Sequence, residues 1–288
     1  MQETSQQEIN KKITEYYRAL TPAYEKYSVQ SNNIHYGYWE KTARTKSHRE
    51  ALEHMNAFVA KAAQVQAGDR VLDAGCGMGG SSVWLAKIFG CRVTGITLCS
   101  EHIPLAERFA REHKVEHLVQ FFCRDFADTG FESASFDLVW VLESCCYAAD
   151  KRDFIAESAR LLQSGGRLIV ADGFLQKTAL SAEEQKMLDC WMHGWAVPNV
   201  ISPDQFGRHL EDCGFEHITF SDITKNIMMT SLWMHRFAKL IYPAARIMVK
   251  LGFWPEQKKG HWQAALKQFH LFADHIGCYG LFQARKIG

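Results

Sequence analysis

The sequence predicts an α/β fold: a doubly wound, mostly parallel sheet of seven strands, with an N-terminal helical arm and helical cap insertions toward the C-terminus. Three observations carry this expectation. First, the apolar run Val71-Leu72-Asp73-Ala74 breaks into Gly75-Cys76-Gly77-Met78-Gly79-Gly80 and then opens a periodic segment, Val83 to Phe89, which reads as strand, tight turn, helix. Second, short apolar runs and helix-period segments alternate from there at the spacing of βαβ units. Third, 288 residues with 47% hydrophobic content suit one large domain with a substantial core and an elaborated cap.

In chain order, Ile9, Ile13, Tyr16, Tyr17 and Leu20 recur at helical spacing, and Thr21-Pro22 should end that helix. Tyr24, Tyr27 and the run Asn33-Ile34-His35-Tyr36-Gly37-Tyr38-Trp39 follow. So many large rings either cover a site or pack on the domain edge. Residues 45–66 read as a helix, and Ala67-Gly68-Asp69 turns into the first strand. Strands are expected at 70–74, 91–96, 118–123, 136–141 and 166–172, with helices at 80–89, 101–113 and 151–162 between them. Helix 203–213 and strands near 215–221 and 277–285 complete the chain. This divides it into an arm and lid, 1–66, and a ligand-binding domain, 67–288. Two insertions, about 174–202 and 223–276, should cap the carboxyl ends of the strands, where open α/β sheets bind ligands. Their methionines, tryptophans and phenylalanines predict a largely apolar acceptor pocket.

Charge and cysteine content exclude several classes of partner. Thirty-three Lys and Arg against 32 Asp and Glu give a net charge of +1, so no global field argues for nucleic acid. Nine cysteines, without C-x-x-C pairs, fit reduced thiols rather than a metal site or a disulfide framework. The polar start of the chain has no apolar leader and no run reaches transmembrane length free of charge, so a cytoplasmic location is expected.

The glycine turn carries the functional signal. Glycine there allows positive φ and lets backbone approach a ligand with no Cβ in the way. Gly75, Gly77 and Gly80 also fit G-x-G-x-x-G, but a dinucleotide site wants an acid at the end of the second strand. Here Arg92-Val93-Thr94-Gly95-Ile96 runs into Thr97-Leu98-Cys99-Ser100. With Asp73 at the strand end, D-x-G-C-G-x-G-G resembles motif I of class I S-adenosylmethionine-dependent methyltransferases. Tyr16-Tyr17 with His-Tyr-Gly-Tyr-Trp resembles the N-terminal arm of the tocopherol, sterol and small-amine group. G-I-T-L recurs in that group and in its cyclopropane-synthase-like relatives, and Leu161 to Leu168 looks like the turn before their fifth strand, with Ser164 replacing proline.

The resemblance implies a Rossmann-like methyltransferase with S-adenosyl-L-methionine as cofactor and a small-molecule acceptor, without metal or nucleic acid. Asp73, Gly75, Cys76 and Gly77 would hold its methionine part, with Tyr17, His35 and Gly37 closing over it. Thr97, Leu98 and His102 would serve the ribose side, Asp125 and Phe126 the adenine, and Leu142 the end of the fourth strand. Leu142-Glu143-Ser144-Cys145-Cys146-Tyr147 resembles the family's E-S-x-x-H-x-x-D with Tyr147 at the histidine position. A base is needed only if the acceptor must lose a proton. Glu143, Tyr147 and the cap residue His193 are then the candidates, and Glu143 is equally readable as a buried hydrogen-bond acceptor. Acceptors implied are phenolic, isoprenoid or natural-product-like molecules, or small amines such as glycine derivatives; a SAM-binding module without catalysis is the reading of a different class. Lys225, Arg236, Lys239, Arg246 and Lys250, without an acid, make 223–255 a basic amphipathic stretch. It reads as a lid on an anionic or lipid-like acceptor, as a peripheral membrane contact, or as a solvated cationic face. Oligomeric state is not legible.

Overall fold

The structure, a computed structural model, describes residues 6–27, 31–40, 45 and 47–288. Of the arm expected over 1–66, residues 1–5, 28–30, 41–44 and 46 and the side chain of Tyr27 lie outside the described residues. Among the described residues, seven strands form one sheet: β1 (Arg70–Ala74), β2 (Arg92–Thr97), β3 (Val119–Cys123), β4 (Phe136–Leu142), β5 (Leu162–Leu175), β6 (Phe215–Asp222) and β7 (Gly277–Lys286). Their order is β3-β2-β1-β4-β5-β7-β6. The first five run parallel, and β7 is antiparallel to both β5 and β6. The order reverses between β1 and β4, so their carboxyl ends open the crevice where such sheets take ligands.

The central strands β1 and β4 are buried on both faces, which is why they read as continuous apolar runs, whereas the edge strand β6 is mostly exposed. On one face Leu138, Trp140 and Ile169 pack with Met55, Val59 and Leu85. On the other, Val139, Val141 and Val170 pack with Phe154, Ile155 and Phe206. The covering helices are α2 (His48–Ala62), α3 (Gly80–Phe89), α4 (His102–Glu112), α5 (Lys151–Leu161) and α7 (Pro203–Asp212). β5 is longer than expected because it pairs with β4 from Leu162 onward, across an irregularity, and with β7 as far as Leu175.

Helix α1 (Gln6–Tyr27) continues through Pro22, where the sequence led us to expect its end. A proline removes one backbone donor, but tertiary contacts on both sides outweigh that loss. Ile13, Tyr16 and Leu20 are buried. Arg18 meets Glu101 at 2.6 Å, and Arg108 meets Glu25 at 2.8 Å. The two insertions supply α6 (Ala182–Gly194), α8 (Thr224–Lys250) and α9 (Glu256–Ala273). α6 crosses α9 closely at Gly194, where an added Cβ would lie 2.3 Å from the Gly260 carbonyl oxygen. Among the described residues no helix is long and apolar enough to cross a membrane.

Candidate active site

A cavity of about 960 Å³ opens over the carboxyl ends of β1, β2 and β4 and extends beneath α1, α8 and α9. The turn after β1 forms its floor. Gly75, Gly77 and Gly79 have φ of +100°, +51° and +81°, and α3 starts immediately after them. The Gly75 and Cys76 amides donate to the Ile96 carbonyl at 3.0 and 2.9 Å, so they dock the turn onto β2 rather than face a ligand. Gly75 is also sterically locked: a Cβ there would lie 2.2 Å from Ser144 Cβ. Gly77 differs, because it borders the cavity and a Cβ on it would meet no atom of the other described residues within 4 Å. Asp73 is buried beside this turn and accepts from Ser82 Oγ at 2.5 Å; burial raises its carboxyl to about 7.

The second feature is the end of β4. Glu143 has a left-handed backbone, φ +57°, anchored by its amide on the Ala171 carbonyl at 2.9 Å. A non-glycine residue at positive φ stores strain that its surroundings must hold. Here the Tyr36 amide donates to Glu143 Oε1 at 2.6 Å and the Tyr279 hydroxyl at 2.8 Å. Burial dominates, raising the Glu143 carboxyl to about 8, and the nearby Asp172 adds to the shift. Asp172 in turn accepts from the Cys146 and Gly173 amides at 3.0 and 2.7 Å. Lys151, also buried, donates to the Cys146 and Ala148 carbonyls at 2.9 and 2.7 Å. Together these fix the 3-10 turn Cys145–Tyr147 in the wall. Burial pushes both thiols in that turn well above their ordinary value, which fits wall residues and not nucleophiles.

The third feature is an aromatic roof. The Tyr17 hydroxyl donates to the Tyr147 hydroxyl at 3.0 Å, and burial raises both phenols well above their ordinary value. The Tyr16 hydroxyl lies 2.8 Å from His261 Nδ1, while burial lowers His261 to about 4 and keeps it neutral. His102 pairs through Nε2 with Thr21 Oγ1 at 2.9 Å. Arg18, Thr21 and Glu25 thus hold α1 to α4 while Tyr16 and Tyr17 reach the cavity.

Of the residues singled out from sequence, Tyr17, His35, Asp73, Gly75, Cys76, Gly77, Thr97, Leu98, His102, Phe126, Leu142, Glu143 and Tyr147 all border this cavity. Three do not. His193 is exposed on α6, away from the cavity, because the helix turns Leu188 and Trp191 inward instead. Asp125 has its carboxylate engaged by α1, accepting from Asn10 Nδ2 at 2.6 Å, and it also accepts from the Ala127 amide. Gly37 serves packing: its amide donates to Thr230 Oγ1 at 3.2 Å, and a Cβ would lie 2.5 Å from Ala51 Cβ. Sequence reasoning missed His261, Asp172 and Tyr279, each brought in from a distant segment. A histidine beside Trp262 in a cap helix was the available signal for the first.

A large ligand fits this site on independent grounds. Among the described residues, Asn33 Oδ1, His35 Nε2, Tyr36 Oη, His48 Nδ1 and His102 Nδ1 are buried without a hydrogen-bond partner, and all five residues border the cavity. Buried polar atoms are normally satisfied, so such a cluster asks for donors and acceptors from a bound molecule. His35 holds its ring with Nδ1 on the Tyr36 carbonyl at 2.8 Å, which leaves Nε2 for that purpose.

Residues 72–170, from β1 through β5, match a family model described as a methyltransferase domain. The chain is 32% identical over 195 residues to the 27-O-demethylrifamycin SV methyltransferase of Amycolatopsis mediterranei, covering 67% of this chain and 70% of that one. It is 29% identical over 239 residues to the chloroplastic tocopherol O-methyltransferase of Arabidopsis thaliana, covering 78% and 68%. Among solved structures, the [4+2]-cyclase SpnF superposes with a TM-score of 0.78 at 26% identity, over 99% of this chain and 97% of that one. The last match takes in the arm and the caps as well as the sheet. With the glycine turn, its buried acid and the cavity above them, these likenesses place the chain in the family of S-adenosylmethionine-dependent methyltransferases.

Proposed function

We propose that the enzyme methylates a small, largely apolar organic acceptor enclosed between the end of β4 and the aromatic roof. The observation that carries this reading is one continuous cavity of about 960 Å³, which runs from the glycine turn to Trp195, Trp262 and Phe272, beyond the residues that would hold the cofactor. Asp73 and the Gly75-Cys76-Gly77 turn would hold the methionine part of the cofactor, while Thr97, Leu98, His102 and Phe126 would enclose the nucleoside. When bound, the cofactor supplies an electrophilic methyl group on a sulfonium. The protein's contribution is then chiefly to position the acceptor and to exclude water, with effective molarities on the order of 10⁵ M or more available from orientation.

Proton handling falls to two groups. Burial raises the Glu143 carboxyl to about 8, which favours its protonated form at neutral pH, and a cation beside it would favour its ionised form. His261 is neutral, with Tyr16 on Nδ1, so its Nε2 is the nitrogen offered to an acceptor hydroxyl or ammonium. Tyr147 stays un-ionised and orients rather than deprotonates. Incubation with S-adenosylmethionine and a panel of phenols, prenylated compounds, polyketide-like molecules and small amines tests the reading, with S-adenosylhomocysteine as the readout. Formation with a bulky apolar acceptor supports it. Formation only with small amines would replace it by N-methylation of a small amine, and cofactor binding without turnover on any acceptor would point to a binding module.

A further inference from the structure

α8 carries an apolar stripe that is exposed along its length and reaches the cavity at Trp233 and Phe237. Met229, Trp233, Phe237, Leu240, Ile247 and Leu251 succeed one another at steps of three, four or seven residues, and all are exposed, Leu240 to 75%, Ile247 to 60% and Leu251 to 61%. From Met229 to Leu251 the stripe is about 33 Å long at 1.5 Å per residue. It continues at the α8–α9 tip into Phe253, which is 70% exposed, and into Trp254 with Lys258 over its ring. A soluble surface rarely leaves so long a contiguous run of large apolar residues to water.

Charge identifies what covers it. Lys225, Arg236, Lys239, Arg246 and Lys250 flank the stripe, all exposed, and among the described residues none makes an ion pair. Residues 224–273 hold eight Lys and Arg and a single acid, Glu256, in a chain of net charge +1, so the rest of the molecule is acidic by six. A second copy is a poor partner, since two-fold pairing would set the five cations of α8 opposite themselves. An anionic lipid surface meets both requirements, taking the apolar residues into the acyl boundary and the cations among its headgroups.

We propose that α8 and the α8–α9 tip form a docking surface for a bilayer bearing anionic lipids. Trp233 and Phe237 belong both to the stripe and to the cavity lining, so the docked face adjoins the mouth of the site. The full chain, without cofactor or acceptor, is sedimented with phosphatidylcholine vesicles with and without phosphatidylglycerol, which makes the result independent of the methyl-transfer reading. Two variants are run beside it, Leu240→Glu/Ile247→Glu/Phe253→Glu and Arg246→Gln/Lys250→Gln, with circular dichroism to confirm folding. The expected result is that wild type binds the anionic vesicles roughly tenfold or more tightly than neutral ones, weakens with added salt, and loses that preference in both variants. Wild type left in the supernatant, equal binding to both vesicles, or an apolar variant that binds like wild type would overturn the proposal. So would a wild-type dimer that the apolar variant converts to monomer, since a second copy would then cover the face.

Discussion

Replacing Glu143 by Gln should remove a pH dependence of stability that one buried carboxyl imposes on the ligand-free protein. Burial raises Glu143 to about 8 from an ordinary 4.5, so between those values the folded state holds a proton that the unfolded chain has released. The contribution of this group is therefore fully present below 4.5 and is lost as pH rises through about 8. The linkage relation gives an upper bound of about 3 kcal/mol for the loss between about pH 5.5 and pH 8. Gln presents a carbonyl oxygen to the same two donors, the Tyr36 amide and the Tyr279 hydroxyl, and cannot ionise. Asp73, raised to about 7, and Asp172, also raised by burial, remain in both proteins, so the variant should keep a shallower slope and not a flat one. Urea titrations of wild type and Glu143→Gln at the two pH values measure the difference directly. Equal stability changes in the two proteins would refute the reasoning, because they would mean that Glu143 is ionised at neutral pH despite its surroundings.

Three further outcomes follow from the site geometry. Gly77→Ala should fold at a penalty of about 1–2 kcal/mol for its left-handed backbone yet bind S-adenosylhomocysteine far more weakly, whereas Gly75→Ala should unfold at much lower temperature because of the Ser144 clash. Thermal melts and calorimetry separate the two, and wild-type affinity in Gly77→Ala would sink the assignment of this turn. Asn10→Ala should speed amide exchange across Gln6–Tyr27 while leaving the sheet protected; unchanged exchange would show that the Asn10–Asp125 contact does not fasten α1. If His261 accepts the acceptor's proton, His261→Asn should lower turnover by about 10²-fold or more and alter the pH–rate profile, and Tyr16→Phe should lower it less; an unchanged profile in His261→Asn would leave Glu143 or no base.

The sheet was legible because its signals are local. The central strands are runs of apolar residues covered on both faces, and Asp73 with the glycines fixes where the first strand ends, so the order of elements follows from spacing. The residues that miss the cavity show where locality stops. Asp125 stands after β3 as expected, but whether its carboxylate faces a ligand or α1 depends on Asn10, more than a hundred residues away. His193 and His261 both lie in cap helices of mixed composition, and only the helix phase against the sheet decides that the first points to water and the second inward. Pro22 predicted a stop that packing of Ile13, Tyr16 and Leu20 overrides.

Helix α1 touches both halves of the cavity with one rigid rod. Asn10 reaches the β3 end, Tyr17 and Tyr16 reach Tyr147 and His261, and Thr21 and Arg18 hold α4. A rod pinned at both ends cannot lift from one compartment and stay seated on the other, so any opening that needs α1 to move should release spent cofactor and methylated product together. Their departures should then be kinetically tied, with the slower step set by the protein and not by either molecule's own affinity. Arg18→Glu, which sets like charges against Glu101, should hasten the escape of both by a similar factor; acceleration of one alone would mean that the compartments have separate doors.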